Sequence, residues 1–494
     1  MKKNISNTKT NSLTLRPVYS RQELKSRIVH IGFGAFHRAH QGVITHQVLA
    51  NLGEDWGICE VNLVGGEELI TALREQDHLY TVLEKHPDHT QAKVIGSIVE
   101  SLHPTFDGIS AVLEKMAEPQ VAIVSLTVTE KGYCVDPASG QLDQENKAIR
   151  HDLFHPDSPE SAIGLIVSAL RLRKERGLLP FTVLSCDNVQ GNGHVASQAV
   201  LGFAELQDPG LAMWIRENVT FPCTMVDRIV PAATPETLSD IETAIGVYDP
   251  CGIACEPYLQ WVIEDNFVNG RPRWDIGGAT FVNDVVPFEE MKLRMLNGSH
   301  SFLAYLGYLG GYAHISDTME NTAYRHAAFN LMLLEQAPTL NMPTGTDLGG
   351  YALQLITRFI NPALKHQTWQ IAMDGSQKLP QRMVEPLLYH LRKGSDYSAL
   401  ALGVAGWMRY VSGQDEAGNT IDVRDPLLPR FQAIYAEHGL DSAVVKPLLA
   451  IESIFGTELP QLQLFVDAVT QAYQQLLEHG ARYCVAALNV KEGD

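Results

Sequence analysis

The stretch IVHIGFGAFHRAH, residues 28–40, decides how the first half of the chain is read. Ile28, Val29 and Ile31 make a short β-branched run that ends in Gly32-Phe33-Gly34. Such a run reads as a buried strand, and the segment behind it reads as the start of a helix. A junction of this kind suits a dinucleotide: Gly32 permits the tight turn, and Gly34 lets a pyrophosphate approach backbone N–H groups. The third glycine of the full fingerprint is missing, because His37 stands in its place. The strand-to-helix context therefore carries the reading. The residues expected to face the dinucleotide are Ile28, Gly32, Phe33, Gly34, Ala35, Phe36, His37 and Arg38. An acid at the end of the second strand, about 20 residues on, would hold the adenosine ribose; Glu60 is the candidate, with Glu67 and Glu68 beyond it. No Lys or Arg occurs between Arg38 and Arg74 to accept a 2′-phosphate, which favours NAD over NADP.

Working outward, WGICEVNLVGG, VAIVSLTVT and FTVLSCDN read as further strands. SPESAIGLIVSALRLRKERG reads as a helix, with Ile163, Ile166, Val167 and Leu170 on one stripe, Ser158 as N-cap, Pro159 in the first turn and Gly177 as the stop. This alternation predicts an α/β class, with a Rossmann-like doubly wound sheet in the N-terminal part. After about residue 286 the strand signals fade. TAYRHAAFNLMLLEQ, SALALGVAGWMRYV and LQLFVDAVTQAYQQLLEHG read as helices, the last with Phe465, Val469, Ala472 and Leu476 on one stripe before Gly480. The expected organisation is a loose N-terminal tail over 1–25, a dinucleotide-binding domain over 26–286 and a mostly helical substrate domain over 287–494.

Bulk properties exclude several classes. The 494 residues are 45% hydrophobic and 19% charged, a globular composition. No apolar run approaches the roughly 20 residues of a membrane helix, and the start lacks the apolar stretch of a signal peptide, so a cytoplasmic protein is expected. The charge of 38 − 57 = −19 argues against nucleic acid or an anionic membrane as partner. It also requires that an anionic small-molecule substrate be met by locally placed Lys or Arg. The seven cysteines are scattered and odd in number, and CGIAC lacks a second pair at zinc spacing. They read as reduced thiols.

A second stretch, KLRMLNGSH (residues 292–300), follows Pro287 and reads as a helix. At about 100° per residue, Glu289, Lys292, Asn297 and His300 fall within an arc of about 140°, with Met291, Leu293 and Leu296 largely elsewhere. Spacing alone equally fits an amphipathic helix with a solvated face. SCDNVQGNG adds Asp187, Asn188 and Asn192 at a strand end, where open α/β sheets bind ligands. MVDRIVP puts Asp227 and Arg228 inside an apolar run, as binding residues or as members of an internal ion pair. A metal could draw on His37 and His40 with Cys59 or Glu60, but no third ligand is evident and no metal is expected.

These segments, together with FPCTMVDRIVPAATPETL, VIEDNFVNGRP, KLRMLNGSHSFLAYLGYLGG and WQIAMDGSQKLPQR, run essentially end to end. On them the chain resembles the polyol-specific long-chain dehydrogenase family, which includes mannitol 2-dehydrogenase, and especially its hexuronate branch. The resemblance implies NAD-dependent, metal-independent interconversion of D-fructuronate and D-mannonate. Tagaturonate, or a neutral polyol such as mannitol or arabinitol, is the alternative substrate. It places the family motif K-x4-N-x2-H on Lys292, Asn297 and His300. Lys292 is then the general acid/base, Asn297 and Asn188 stabilise the alkoxide, and His300 binds a substrate hydroxyl. Asp187 lies with the cofactor, and Glu130, Glu289 and Asp227 mark a proton route. A free lysine near pKa ~10.4 is a poor base, so burial or a nearby cation should lower it. Mannonate differs from mannitol by a carboxylate and needs a distal cation. Lys378 and Arg382 in DGSQKLPQR are the candidates and Arg294 lies on the catalytic helix; a surface ion pair is the alternative reading. Where mannitol dehydrogenases carry an acidic pair after the second strand, this chain has Gly65 and Gly66.

Overall fold

Ile28, Val29 and Ile31 lie in β1 (Lys25–Ile31), the middle strand of a five-stranded parallel sheet. Its companions are β2 (Trp56–Val61), β5 (Ile98–Leu102), β6 (Ile123–Leu126) and β7 (Thr182–Ser185), in the order β5-β2-β1-β6-β7. β2, β6 and β7 are buried along their whole length, as parallel strands covered on both faces must be. The helices Ala162–Glu175 and Asn192–Gln207 pack into one core, around Val29, Val124 and Val183. The helix Gln41–Leu52 packs into the other, around Ile28, Ile58 and Ile123. The structure is a computed structural model that describes residues 4–136 and 139–489. It divides into two compact units, Met1–Val286 and Pro287–Asp494. Among the described residues no helix is long and apolar enough to cross a membrane.

Several expectations need correction. The hairpin of β3 (Tyr80–Lys85) and β4 (Thr90–Ile95) was not foreseen. Its polar residues mask the strand pattern, yet Lys93 Nζ bonds both Glu84 oxygens, at 2.9 and 2.8 Å. β4-β3-β9, with β9 at Ile253–Cys255, forms one small sheet; β8 (Thr224–Asp227), β10 (Gln260–Glu264) and β11 (Thr280–Val282) form another. The N-terminal segment is not loose from residue 4 onward: Ile5 is buried with Leu79 and Leu83, Asn11 N–H donates to Ile245 O, and Leu15 bridges Lys93. The first long helix is capped not by Ser158 but by Ser161, whose hydroxyl accepts Gly164 N–H at 2.9 Å.

The second unit is helical. Helix Val286–Met291 runs without a break into Lys292–Gly298, which is wound as a π-helix, and then into Ser299–Leu309. Two more π segments, Leu331–Gln336 and Pro380–Val384, pack against the first. Gly298 sits where the three meet: a Cβ there would lie 2.7 Å from Gln336 Nε2 and 3.1 Å from Arg382 O. Gln336 Nε2 itself donates to Arg382 O at 2.9 Å. In the last helix, Gln463–Leu488, Gly480 leaves helical geometry (φ 78°, ψ 168°) but the helix resumes beyond it.

Candidate active site

In the first unit the Gly32-Phe33-Gly34 turn leads from β1 into the helix Ala35–Ala39. Gly32 has φ +113°, and a Cβ there would come within 2.2 Å of Thr127 O, so only glycine fits. At Gly34 a Cβ would meet nothing within 4 Å, and the backbone there is exposed. A cavity of about 320 Å³ opens at the carboxyl ends of β1, β2 and β6, lined among others by Ile31, Gly32, Asn62, Val64, Val128 and Glu160, with no Lys or Arg. This is the edge at which open parallel sheets hold nucleotides. Gly34, Ala35 and Phe36 offer the accessible backbone, whereas Ile28, Phe33, His37 and Arg38 are buried. Arg38 is tied to Cys251 O at 2.5 Å and Gly34 O at 3.2 Å.

Glu60 is not at the ribose position. It is 0% exposed and lies against His37 in the interior. The end of β2 is shaped instead by Asn62, which the sequence reading missed. Its Oδ1 accepts Phe33 N–H at 2.9 Å and its Nδ2 donates to Gly65 O at 3.1 Å. Gly65 and Gly66 both have positive φ, 67° and 78°, and a Cβ on Gly66 would strike Asn62 Nδ2 at 2.3 Å. Asp187 uses its carboxylate on the loop after β6, accepting Val128 N–H (3.1 Å), Thr129 N–H (2.9 Å) and Tyr133 O–H (2.6 Å). Asn188 and Glu130 are exposed, and Asp227 is buried at the end of β8. Arg228 belongs to an internal ion pair with Glu84, 2.7 Å apart.

The group His30, His37 and Glu60 has ligand atoms within 4.8 Å of one another, but it does not fit a metal ion. Both His30 nitrogens are engaged, by Ser125 Oγ at 2.7 Å and by Thr127 Oγ1 at 2.8 Å. The two imidazoles stack at 3.5 Å with planes 11° apart, so an ion in the plane of one lies off the plane of the other.

In the second unit the π winding changes the geometry read from the sequence. Its i→i+5 hydrogen bonds bring residues five apart onto one side, so Lys292 and Asn297 come closer in direction than the α-helical wheel allowed. Lys292 is 9% exposed and Glu289 is buried. His300 is buried, stacks on Phe359 (4.5 Å) and meets His366 edge-on (5.1 Å). Burial, followed by His366, Arg358, Arg382 and Lys378, holds its imidazole well below the ordinary histidine range. Its Nε2 is buried with no hydrogen-bond partner among the described residues.

Arg382 is part-buried and donates to Ser301 Oγ at 3.0 Å and Asn297 O at 3.4 Å. Lys378 donates to Met373 O at 2.5 Å and Ile371 O at 3.2 Å. Neither has a carboxylate at ion-pair distance among the described residues. Burial, then the Arg382 charge, pushes Lys378 down to about 8, and burial pushes Arg382 down to about 10. Arg294, by contrast, is engaged by Glu290 (3.8 Å), Glu385 (3.2 Å) and Thr339 O (2.7 Å).

A nucleotide-type sheet joined to a helical unit that carries an amine, an amide and an imidazole on one continuous helix is the build of a two-domain dehydrogenase. Residues 26–276 match the mannitol dehydrogenase Rossmann domain, and residues 284–477 match the mannitol dehydrogenase C-terminal domain. The chain belongs to the mannitol dehydrogenase family. It is 65% identical to a D-mannonate oxidoreductase of Escherichia coli (strain K12) over 97% of this chain and 99% of that one. It is similar to the solved ternary complex of Pseudomonas fluorescens mannitol 2-dehydrogenase with NAD and D-mannitol, at 38% identity and a TM-score of 0.80, covering 98% of both chains. A substrate-free D-sorbitol dehydrogenase structure is similar at 34% identity and a TM-score of 0.91, covering 96% of this chain and 98% of that one.

Proposed function

We propose that the protein is an NAD-dependent oxidoreductase that interconverts D-fructuronate and D-mannonate. The observation that carries an acid over a neutral polyol is the pair Arg382 and Lys378, part-buried cations that have no carboxylate at ion-pair distance among the described residues and lie near His300, whose Nε2 has no hydrogen-bond partner among them. A buried charge without a counterion is costly, and a substrate carboxylate would supply one. The likeness to D-mannonate oxidoreductase points the same way. The glycine turn, the open backbone at Gly34 and a cavity without Lys or Arg fit NAD in preference to NADP.

When bound, the nicotinamide supplies or accepts the hydride. Lys292 gives a proton to the carbonyl oxygen in reduction and removes the hydroxyl proton in oxidation. Asn297, with Asn188 as the second amide, stabilises charge on that oxygen. His300 Nε2 binds a substrate hydroxyl, and Arg382 with Lys378 holds the carboxylate. Glu289, Glu130 and Asp227 are assigned to the proton route. An ammonium and two amides fill the place that a Lewis-acid metal takes elsewhere. The seven free cysteines suit a reducing cytoplasm.

The test is NADH consumption with D-fructuronate, D-tagaturonate and D-fructose side by side, with a metal chelator throughout. Preference for D-fructuronate is expected. Preference for D-fructose removes the carboxylate assignment, preference for D-tagaturonate changes the hexuronate, and inactivation by the chelator overturns the metal-free mechanism.

A further inference from the structure

Beneath the glycine turn lies a polar column that the proposed chemistry does not use. Glu60 on β2 stands opposite His30 on β1 in the strand register, and its carboxyl is in direct contact with His37 Nε2. Beyond that contact Glu60 has no other hydrogen-bond partner among the described residues, and both side chains are 0% exposed. His37 stacks on His30 at 3.5 Å. His30 Nε2 in turn lies 3.1 Å from Gly32 O and 2.8 Å from Thr127 Oγ1, and Thr127 Oγ1 donates to Gly32 O at 2.9 Å. The carboxyl, two imidazoles and the carbonyl of the first fingerprint glycine are thus in unbroken contact. A fully buried acid that meets only a neutral imidazole is costly and calls for a functional account.

We propose that Glu60 is a positioning residue for the coenzyme: through His37 and His30 it sets the glycine turn, and its charge tunes how tightly NADH is held. This rests on the NAD reading above. Burial pushes the Glu60 carboxyl up to about 7, against the opposing pull of His30 and Arg38. Burial also holds His30 and His37 down to about 3, so both imidazoles are neutral at neutral pH. The other titratable groups facing Glu60 are Arg38 on the helix of His37, Tyr80 on β3 and Cys59 beside it on β2. Arg38 stays cationic, and burial raises Tyr80 and Cys59 so far that both stay neutral. Loss of the Glu60 proton therefore adds one negative charge under the turn that would hold an anionic pyrophosphate. The sign follows: NADH binds more weakly as pH rises through the Glu60 pKa.

The experiment is equilibrium titration of NADH fluorescence, with no sugar present, on the wild type, Glu60→Gln and Glu60→Leu. From about pH 6 to about pH 8.5 the wild-type Kd should rise roughly three- to tenfold, while both variants keep a Kd that does not change with pH. A flat wild-type profile overturns the inference, and this holds even if a variant fails to fold. A variant profile parallel to the wild type also overturns it while leaving the NAD reading intact. Absence of NADH binding at every pH removes both.

Discussion

At Arg382 the proposed choice between acid and polyol rests on a single guanidinium. It is part-buried and, among the described residues, donates to two neutral oxygens, so in the proposed reading its charge serves recognition more than stability. Arg382→Leu should lower kcat/KM for D-fructuronate about 100-fold and leave D-fructose within about threefold, while Tm is unchanged or raised; steady-state kinetics and calorimetry check this. An equal loss on both sugars would mean that Arg382 shapes the helix and not the substrate choice. DGSQKLPQR showed in the sequence that cations were present, but not whether carboxylates neutralised them, because that depends on residues far apart in the chain. Glu60 shows the same limit. Its distance from the glycine turn fitted a ribose ligand, yet the register with β1 directs it at His37. Asn62, two residues on, occupies the strand end and carried no recognisable signal beyond being polar.

At the scale of elements, the helix through Lys292 was legible in its existence and not in its winding. Apolar spacing reports burial, and a reading at 3.6 residues per turn assumes the α form. The π segments are fixed by packing on one another, with Gly298 at their contact. Gly298→Ala should therefore destabilise by about 1–3 kcal/mol and lower kcat, because the added methyl pushes Gln336 and the Arg382 backbone away from the helix that carries Lys292 and Asn297. Denaturant unfolding and kcat measured together test this, and a stable variant with normal kcat would show that the contact yields easily. Strands buried on both faces, such as β2 and β6, were read correctly because continuous apolar runs mark them. The β3–β4 hairpin escaped because its partner charges Glu84 and Lys93 look solvated until they are paired.

For the whole molecule, the strand signals fade at about residue 286, and the structure divides into compact units Met1–Val286 and Pro287–Asp494. Acid sensitivity was not visible, since 18 histidines in a sequence say nothing of burial. Burial holds His30 and His37 at about 3 and His46 and His78 at about 4. Each favours the unfolded state once that state can bind a proton, so stability is complete above the unfolded histidine pKa and is lost as pH falls toward the folded values. Glu60, Asp187, Asp249 and Glu416, raised by burial, act in the opposite sense, while His300 and His366, lowered by burial, join the other four imidazoles. Calorimetry should show Tm at about pH 5 lower by roughly 5 °C or more than at about pH 7; an unchanged Tm would mean that these imidazoles are hydrated. The π winding between Met291 and Ser299 has one more consequence. A π turn is an α turn with a residue inserted, so the five-residue step from Lys292 to Asn297 records that insertion where an α turn would call for four. Removing one residue there would return the segment to an α turn and leave the side chains of Ser299–Leu309 in phase. Over evolutionary time this stretch can shed one residue and still present the same faces on either side.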